Sequence, residues 1–279
     1  MNKIWLDRMQ WHYRMRQQHP PKQYCLKKLI KNICICCLIF LFFYPQYLKR
    51  LIYPYLLGKP TSESIKISDQ DFYEDISAQP IEFKRKDMVY TLLPKVYYKT
   101  TGRVGIVDHY DTLFNIIYRW HKQKEYINLA PRDIFLVIGN MAQPEIFKQF
   151  EFLHEERGGA VLCKGVKYKM SFMPVFMGKK KAIENMKRFN QCNQFIKDEE
   201  QNNYHPIPAN EIINKALSML LPGDIVALEG YLVDVPQMGL HTGTRKGQIH
   251  KNLKIGGMET KMCFILYTTK VIINGRIYE

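Results

Sequence analysis

Residues 209–235, ANEIINKALSMLLPGDIVALEGYLVDV, set out a helix, a stop and a strand without a gap. Ile212, Ile213, Ala216, Leu217 and Leu220 recur at helical spacing, which predicts a helix over Ala209–Leu221. Pro208 precedes it and Pro222-Gly223 stops it, because proline removes a backbone donor and glycine adopts the turn conformation cheaply. Asp224–Val235 then reads as a long strand rich in Ile, Val, Leu and Tyr, bent at Gly230.

Working outward, Val96–Val107 (VYYKTTGRVGIV) is β-branched and aromatic, a strand expected to bend at Gly102 and Gly105. Ile134–Ile138 (IFLVI) is a short apolar run fit for a buried strand, and Ala130–Asp133 before it reads as a turn. Met262–Ile273 (MCFILYTTKVII) is the last strand; Asn274-Gly275 closes it, and Gly256-Gly257 turns the chain into it. Several strands with one or two helices predict an α+β fold, predominantly antiparallel β. A small closed or partly open barrel and a sandwich both satisfy this pattern. No internal repeat is visible.

Near the start lies Ile33–Tyr44, ICICCLIFLFFY, unbroken in apolar residues. A helix of that length reaches only about 18 Å, against a hydrocarbon core of roughly 30 Å. Extending it over residues 29–48 supplies the rest, with Lys31 at one end and Lys49 and Arg50 at the other reaching the headgroups. Tyr44, Tyr47, Tyr53 and Tyr55 would occupy the interfacial belt. The alternatives are a buried core helix or a cleaved signal peptide, but Phe42-Phe43-Tyr44-Pro45 lacks the small residues of a cleavage site. The expectation is therefore one N-terminal transmembrane helix.

Charge gives its orientation. The first fifty residues hold ten bases and one acid, Asp7, and so supply +9 of the net +15. Bases are fewer after the apolar run, where Glu63, Asp69, Asp71, Glu74 and Asp75 follow. The positive-inside rule keeps the basic tail in the cytoplasm and sends the rest across. The expected organisation is a basic tail (1–28), an anchor (29–48), a juxtamembrane segment and linker (49–86) and a β-rich domain (87–279), in a bacterial inner membrane. With only +6 on the remaining chain, a nucleic-acid grip is disfavoured.

Cysteine usage points to no metal framework: Cys34, Cys36 and Cys37 lie in the apolar run and have no matching second pair. Beyond the anchor only Cys163, Cys192 and Cys263 occur, so an oxidising compartment allows one pair with one thiol over. Which two pair is left open by the sequence. No cofactor is expected.

Candidate chemistry is sparse. Gly239–Gly247 (GLHTGTRKG) is glycine-rich and basic without P-loop order; His241, Thr242, Gly243, Thr244, Arg245 and Lys246 form a candidate ligand or partner loop. Lys179, Lys180, Lys181, Lys187 and Arg188 make the dense basic patch, either a solvated helix face or a contact for an anionic surface. Asp108-His109-Tyr110-Asp111 reads as a strand-end turn with capping carboxylates, and His205 as a structural histidine more than a base. Ser171 and Ser218 each precede a Met and a Pro in a way that loosely resembles type I signal peptidases, whose chemistry needs a serine beside a desolvated lysine. Neither stands at that family's spacing.

Four blocks resemble a group of uncharacterised bacterial membrane-anchored proteins. They are Tyr97 with Gly102-Arg103-Val104; Leu129, Pro131 and Asp133-Ile134; Asn203, His205 and Ile207-Pro208; and Gly223-Asp224-Ile225-Val226 with Leu228 and Gly230–Val233. The resemblance spans roughly residues 95–275 and implies one anchored domain with no assigned activity. The expected function is a non-enzymatic envelope protein that docks onto a protein partner or envelope component. A membrane-anchored serine hydrolase is one alternative; a nucleic-acid-binding barrel on the cytoplasmic side is the other.

Overall fold

The computed structural model describes residues 30–32, 45–61, 65–67, 71–110, 128–155, 158–166, 179–197, 200–242, 254–255, 258–259 and 263–279. The chain divides into two compact units, Met1–Lys49 and Arg50–Glu279. In the first, residues 30–32 and 45–49 are helical. The tail 1–28 and the run Ile33–Tyr44, on which the anchor expectation rests, lie outside the described residues. Among the described residues no helix is long and apolar enough to cross a membrane.

Helix α1, Pro45–Leu56, leads into the second unit. Strands β1 (Lys59–Pro60), β2 (Phe72–Asp75), β3 (Ile81–Arg85), β4 (Met88–His109) and β5 (Arg132–Val137) follow. Next come the turn-length α2 (Pro144–Phe147), the hairpin of β6 (Phe150–Glu155) and β7 (Gly158–Cys163), and α3 (Lys179–Asn193). Then β8 (Gln201–Pro208), α4 (Glu211–Leu217) and β9 (Ile225–Asp234). The chain ends with the two-residue pair β10 (Lys254–Ile255) and β11 (Met258–Glu259), β12 (Cys263–Ile273) and β13 (Arg276–Tyr278).

The fold is α+β with a mainly antiparallel sheet. Five strands pair in a closed circuit, β4 to β5, β5 to β8, β8 to β12, β12 to β9 and β9 back to β4. Only the β8–β12 pair is parallel. Closing a short circuit demands sharp bends, and they fall where glycine permits them. At Gly230 an added Cβ would stand 2.0 Å from the Tyr267 carbonyl oxygen, and the β9–β12 register slips between Thr268 and Lys270. The β4–β5 register slips between Val104 and Ile106, at Gly105. At the other end of β12, Asn274 and Gly275 both take positive φ, as a two-residue hairpin turn requires.

Three expectations need adjusting. The helix expected over 209–221 is shorter, because Asn210 caps it by accepting from the Ile213 amide and the Asp224 carboxylate accepts the Leu221 amide beyond its end. Arg132 and Asp133, expected in a turn, are the first residues of β5, paired with His109 and Asp108. Residues 49–86, expected as juxtamembrane segment and linker, supply most of α1 and all of β1, β2 and β3; β3 pairs with the start of β4 in a hairpin that crosses the boundary expected at 87.

Inside the circuit lies the main apolar cluster, which includes Val96, Tyr98, Ile134, Leu136, Tyr204, Leu228, Leu232, Phe264 and Leu266. Ile213, Ala216 and Leu217 of α4 join it. Tyr98 and Tyr204 meet hydroxyl to hydroxyl at 2.6 Å, and Phe264 stacks on both rings. Burial, reinforced for Tyr98 by the charge of the Tyr204 phenolate form, pushes the Tyr98 phenol well above its ordinary range, so the pair stays neutral. Two further clusters lie elsewhere on these strands. One gathers Phe83, Tyr90, Leu92, Ile207, Val233 and Ile265; the other gathers Phe135, Val137, Phe150, Val161, Cys163 and Cys192. A Cys163–Cys192 disulfide ties β7 to α3 within the latter.

Candidate functional site

Strands β5 and β8 alternate, as any strand must, and send successive side chains to opposite faces. Ile134, Leu136 and Tyr204 enter the interior cluster. The opposite face carries Asp133, Asn203 and His205, between Phe135 and Val137 of one outer cluster and Ile207 of the other. A polar seam thus runs between two apolar patches.

The seam centres on Asp133. Its Oδ1 lies 2.5 Å from Nδ1 of His205 and accepts from Nδ2 of Asn203 at 3.1 Å. Its Oδ2 accepts from the Tyr110 hydroxyl at 2.8 Å. Asp133 and His205 are each 4% exposed. Burial by itself pushes the Asp133 carboxyl up, but the His205 imidazole and the hydrogen bonds from His205, Tyr110 and Asn203 outweigh it and hold the group below the usual carboxylate range. An ionised carboxylate only accepts, so His205 carries its hydrogen on Nδ1 and Nε2 is the nitrogen that exchanges a proton. Arg132, one residue back, turns away and donates to Asn214 Oδ1 at 2.7 Å.

The candidate loop begins beside this seam. His241 Nδ1 lies 3.3 Å from Asp234 Oδ2, and the Thr242 amide donates to Asp234 Oδ1 at 3.0 Å. Lys95 adds an ion pair at 3.1 Å. Burial pushes the Asp234 carboxyl up, and the Thr242 amide, His241 and Lys95 together bring it below its ordinary value. Thr242 Oγ1 accepts from the Ile265 amide at 3.0 Å, and Ile265 is the register partner of His205. The same register sets Cys263 opposite Asn203. Gly243, Thr244, Arg245 and Lys246 lie outside the described residues.

The basic patch is elsewhere, on α3, which the disulfide fastens to β7. Lys180, Lys181, Lys187 and Arg188 are exposed, and Arg188 pairs with Glu184 one turn back at 2.9 Å. Ile183 and Met186 are exposed beside them. Ser218 caps the C-terminus of α4, and its hydroxyl donates to the Lys215 carbonyl at 2.7 Å. Ser171 and Asp111 lie outside the described residues. Among the described residues no three His, Cys, Asp or Glu side chains converge as a metal site.

Sequence reading flags His205 and the loop separately; Asp133 and Asn203 enter it only within the resembling blocks and Tyr110 only within a strand-end turn, none of them as a site residue. The one legible signal was the alternation Asn203, His205, Ile207, a polar-to-apolar stripe on one strand face. No family model, curated protein or solved structure matches the chain.

Proposed function

We propose that this chain is a single-pass envelope protein whose β-rich domain, a small five-stranded barrel, sits on the outer face of the bacterial inner membrane and engages a protein partner or envelope component there. Helix α1 carries the reading. On its domain side Arg50 makes a two-pronged ion pair with buried Asp224, at 2.6 and 3.1 Å. Tyr53 packs on the interior cluster, and Arg276 donates to the Pro54 carbonyl at 3.2 Å. The other side leaves Leu51, Ile52, Tyr55 and Leu56 between 44% and 79% exposed. Four large apolar side chains in one turn and a half belong in an interface, and they follow the apolar run Ile33–Tyr44 after the six residues 45–50. A bilayer surface is the occupant this continuity favours.

The Cys163–Cys192 bridge supports an oxidising compartment, in agreement with the charge bias that retains the basic tail inside. The closed circuit and the helix between its third and fourth strands in chain order suit a Greek-key barrel, a scaffold whose loops commonly bind partners.

The test is fractionation of the full-length protein expressed in a Gram-negative cell, with protease added to spheroplasts. Retention in the membrane after an alkaline carbonate wash and digestion of residues 50–279 from outside are expected. Release by the wash, or protection of that domain from protease, overturns the reading.

A further inference from the structure

We propose that α3 is a membrane contact in its own right, a basic amphipathic helix that lies on an anionic phospholipid surface with Ile183 and Met186 entering between the headgroups. This goes beyond engagement of a partner by the barrel and rests on a different part of the molecule from α1. Within Lys179–Asn193 five bases meet one acid, Glu184. Lys180, Lys181, Lys187 and Arg188 are exposed. Just past β7, Lys164 adds another exposed base, next to Gly165, where an added Cβ would stand 3.8 Å from the Arg188 guanidinium. Ile183 is 61% exposed and Met186 48%. On a helix, residues three and four apart are neighbours, so Ile183 stands between Lys180 and Lys187 on one stripe, with Met186 beside it.

The opposite face is fastened. Asn185 and Cys192, two turns apart, are buried, and the disulfide to Cys163 holds the helix on β7, so the stripe is presented by a fixed element. Charge and apolarity together select the occupant. Two large apolar side chains set side by side among lysines gain nothing from water. A nucleic acid or another anionic polymer would be held by the bases and leave both apolar side chains unused. A second copy would bring like charge against like charge. An anionic bilayer satisfies both kinds of group, with phosphates against the bases and acyl chains around Ile183 and Met186. The one acid is already neutralised, because Glu184 pairs with Arg188 at 2.9 Å.

A chain of contacts joins this helix to α1. Arg50 of α1 holds Asp224, and Arg103 donates to the adjoining Gly223 carbonyl at 2.9 Å and to the Ala142 carbonyl at 2.8 Å. The Arg103 guanidinium lies 5.4 Å from the centre of the Phe147 ring, and Phe147 packs on the cluster that contains Cys192. The two helices are thus linked through the residues that lead into β9.

The experiment places the full-length protein in nanodiscs of phosphatidylcholine alone and of phosphatidylcholine with phosphatidylglycerol at about 7:3. Lysine acetylation by a water-soluble reagent and Met186 oxidation by hydrogen peroxide are mapped by mass spectrometry, with exposed Lys84 of β3 as the internal reference. Modification of Lys180, Lys181, Lys187 and Met186 is expected to be about five-fold slower in the anionic discs and to recover in about 1 M salt, which screens the surface charge. The double variant Lys181→Glu with Lys187→Glu, at two exposed positions, should return Met186 oxidation to its rate in neutral discs. Equal rates in the two discs mean that water, the chain itself or a second copy meets the stripe. Protected lysines beside an unprotected Met186 mean an anion held without insertion. Either result, or a Met186 still protected in the double variant, overturns the proposal. Comigration with the neutral discs reports the α1 tether separately.

Discussion

Strands β5 and β8 show two faces that share a backbone and differ in everything else. Toward the interior they contribute Ile134, Leu136 and Tyr204, and the phenol of Tyr204 finds its partner in Tyr98. Toward the outside they contribute a polar seam of Asp133, Asn203 and His205, almost as deeply buried and set among Phe135, Val137 and Ile207. Apolar burial is non-directional, so the interior tolerates substitution in proportion to volume lost. A buried carboxylate with three donors is directional: each donor specifies an atom and a distance. The interior holds the strands together, while the seam fixes which residues face one another. A replacement of Asp133 and one of Leu136 should therefore fail in different ways.

The largest effect is expected from Asp133→Ala. It leaves His205 buried without its carboxylate and should cost about 3–5 kcal/mol, the range for breaking a buried pair from one side. Urea unfolding of the full-length protein in detergent measures it. Acid should produce a graded version of the same loss. Asp133 has its pKa depressed in the folded state, so its contribution is complete above the unfolded value of about 3.9 and disappears as pH falls through the lower folded value. Unfolding midpoints followed downward from pH 5 should fall more steeply in wild type than in Asp133→Asn.

Leu136→Ala, on the opposite face one position past Phe135, should cost about 2–5 kcal/mol through the lost transfer energy and the cavity left behind. Its loss should be nearly independent of pH, which separates the two faces cleanly. Cys192→Ser sharpens the comparison from outside the circuit. The bridge closes a separation of 29 residues in the β7–α3 region, and its removal should lower stability by about 2–4 kcal/mol, visible as a lower thermal midpoint. The interior should be untouched, so the near-ultraviolet signal of the Tyr98, Tyr204 and Phe264 stack should persist below that midpoint.

The interior face was largely legible in the sequence. Helix α4, strands β9 and β12 and the Asn274-Gly275 turn follow from periodicity and turn chemistry, which are local. Strand β8 escaped because Pro206 and Pro208 read as breaks; in the folded protein they are accommodated within the circuit, at positions opposite Leu266 and Thr268. Strand β3 does alternate, Ile81-Glu82-Phe83-Lys84, over a span too short to stand out, while β2 and the hairpin β6–β7 take their place from the long β4 and the outer clusters. The seam was illegible for a different reason. Asp133 and His205 are seventy-two positions apart in the chain, and only the register of β5 on β8, set by interior side chains, makes them neighbours. A motif scan sees a lone histidine and a turn aspartate.

The most direct test compares Leu136→Ala and Asp133→Asn in the full-length protein, measuring for each the unfolding midpoint near neutral pH and its fall as the solution is acidified below about pH 5. Leu136→Ala should lower the midpoint at every pH and keep the wild-type acid dependence, whereas Asp133→Asn should lose the part of that dependence that its carboxylate supplies. If both variants keep the wild-type acid dependence, the outer face does no more than the interior does, and the division between an apolar face and a directional polar one is wrong.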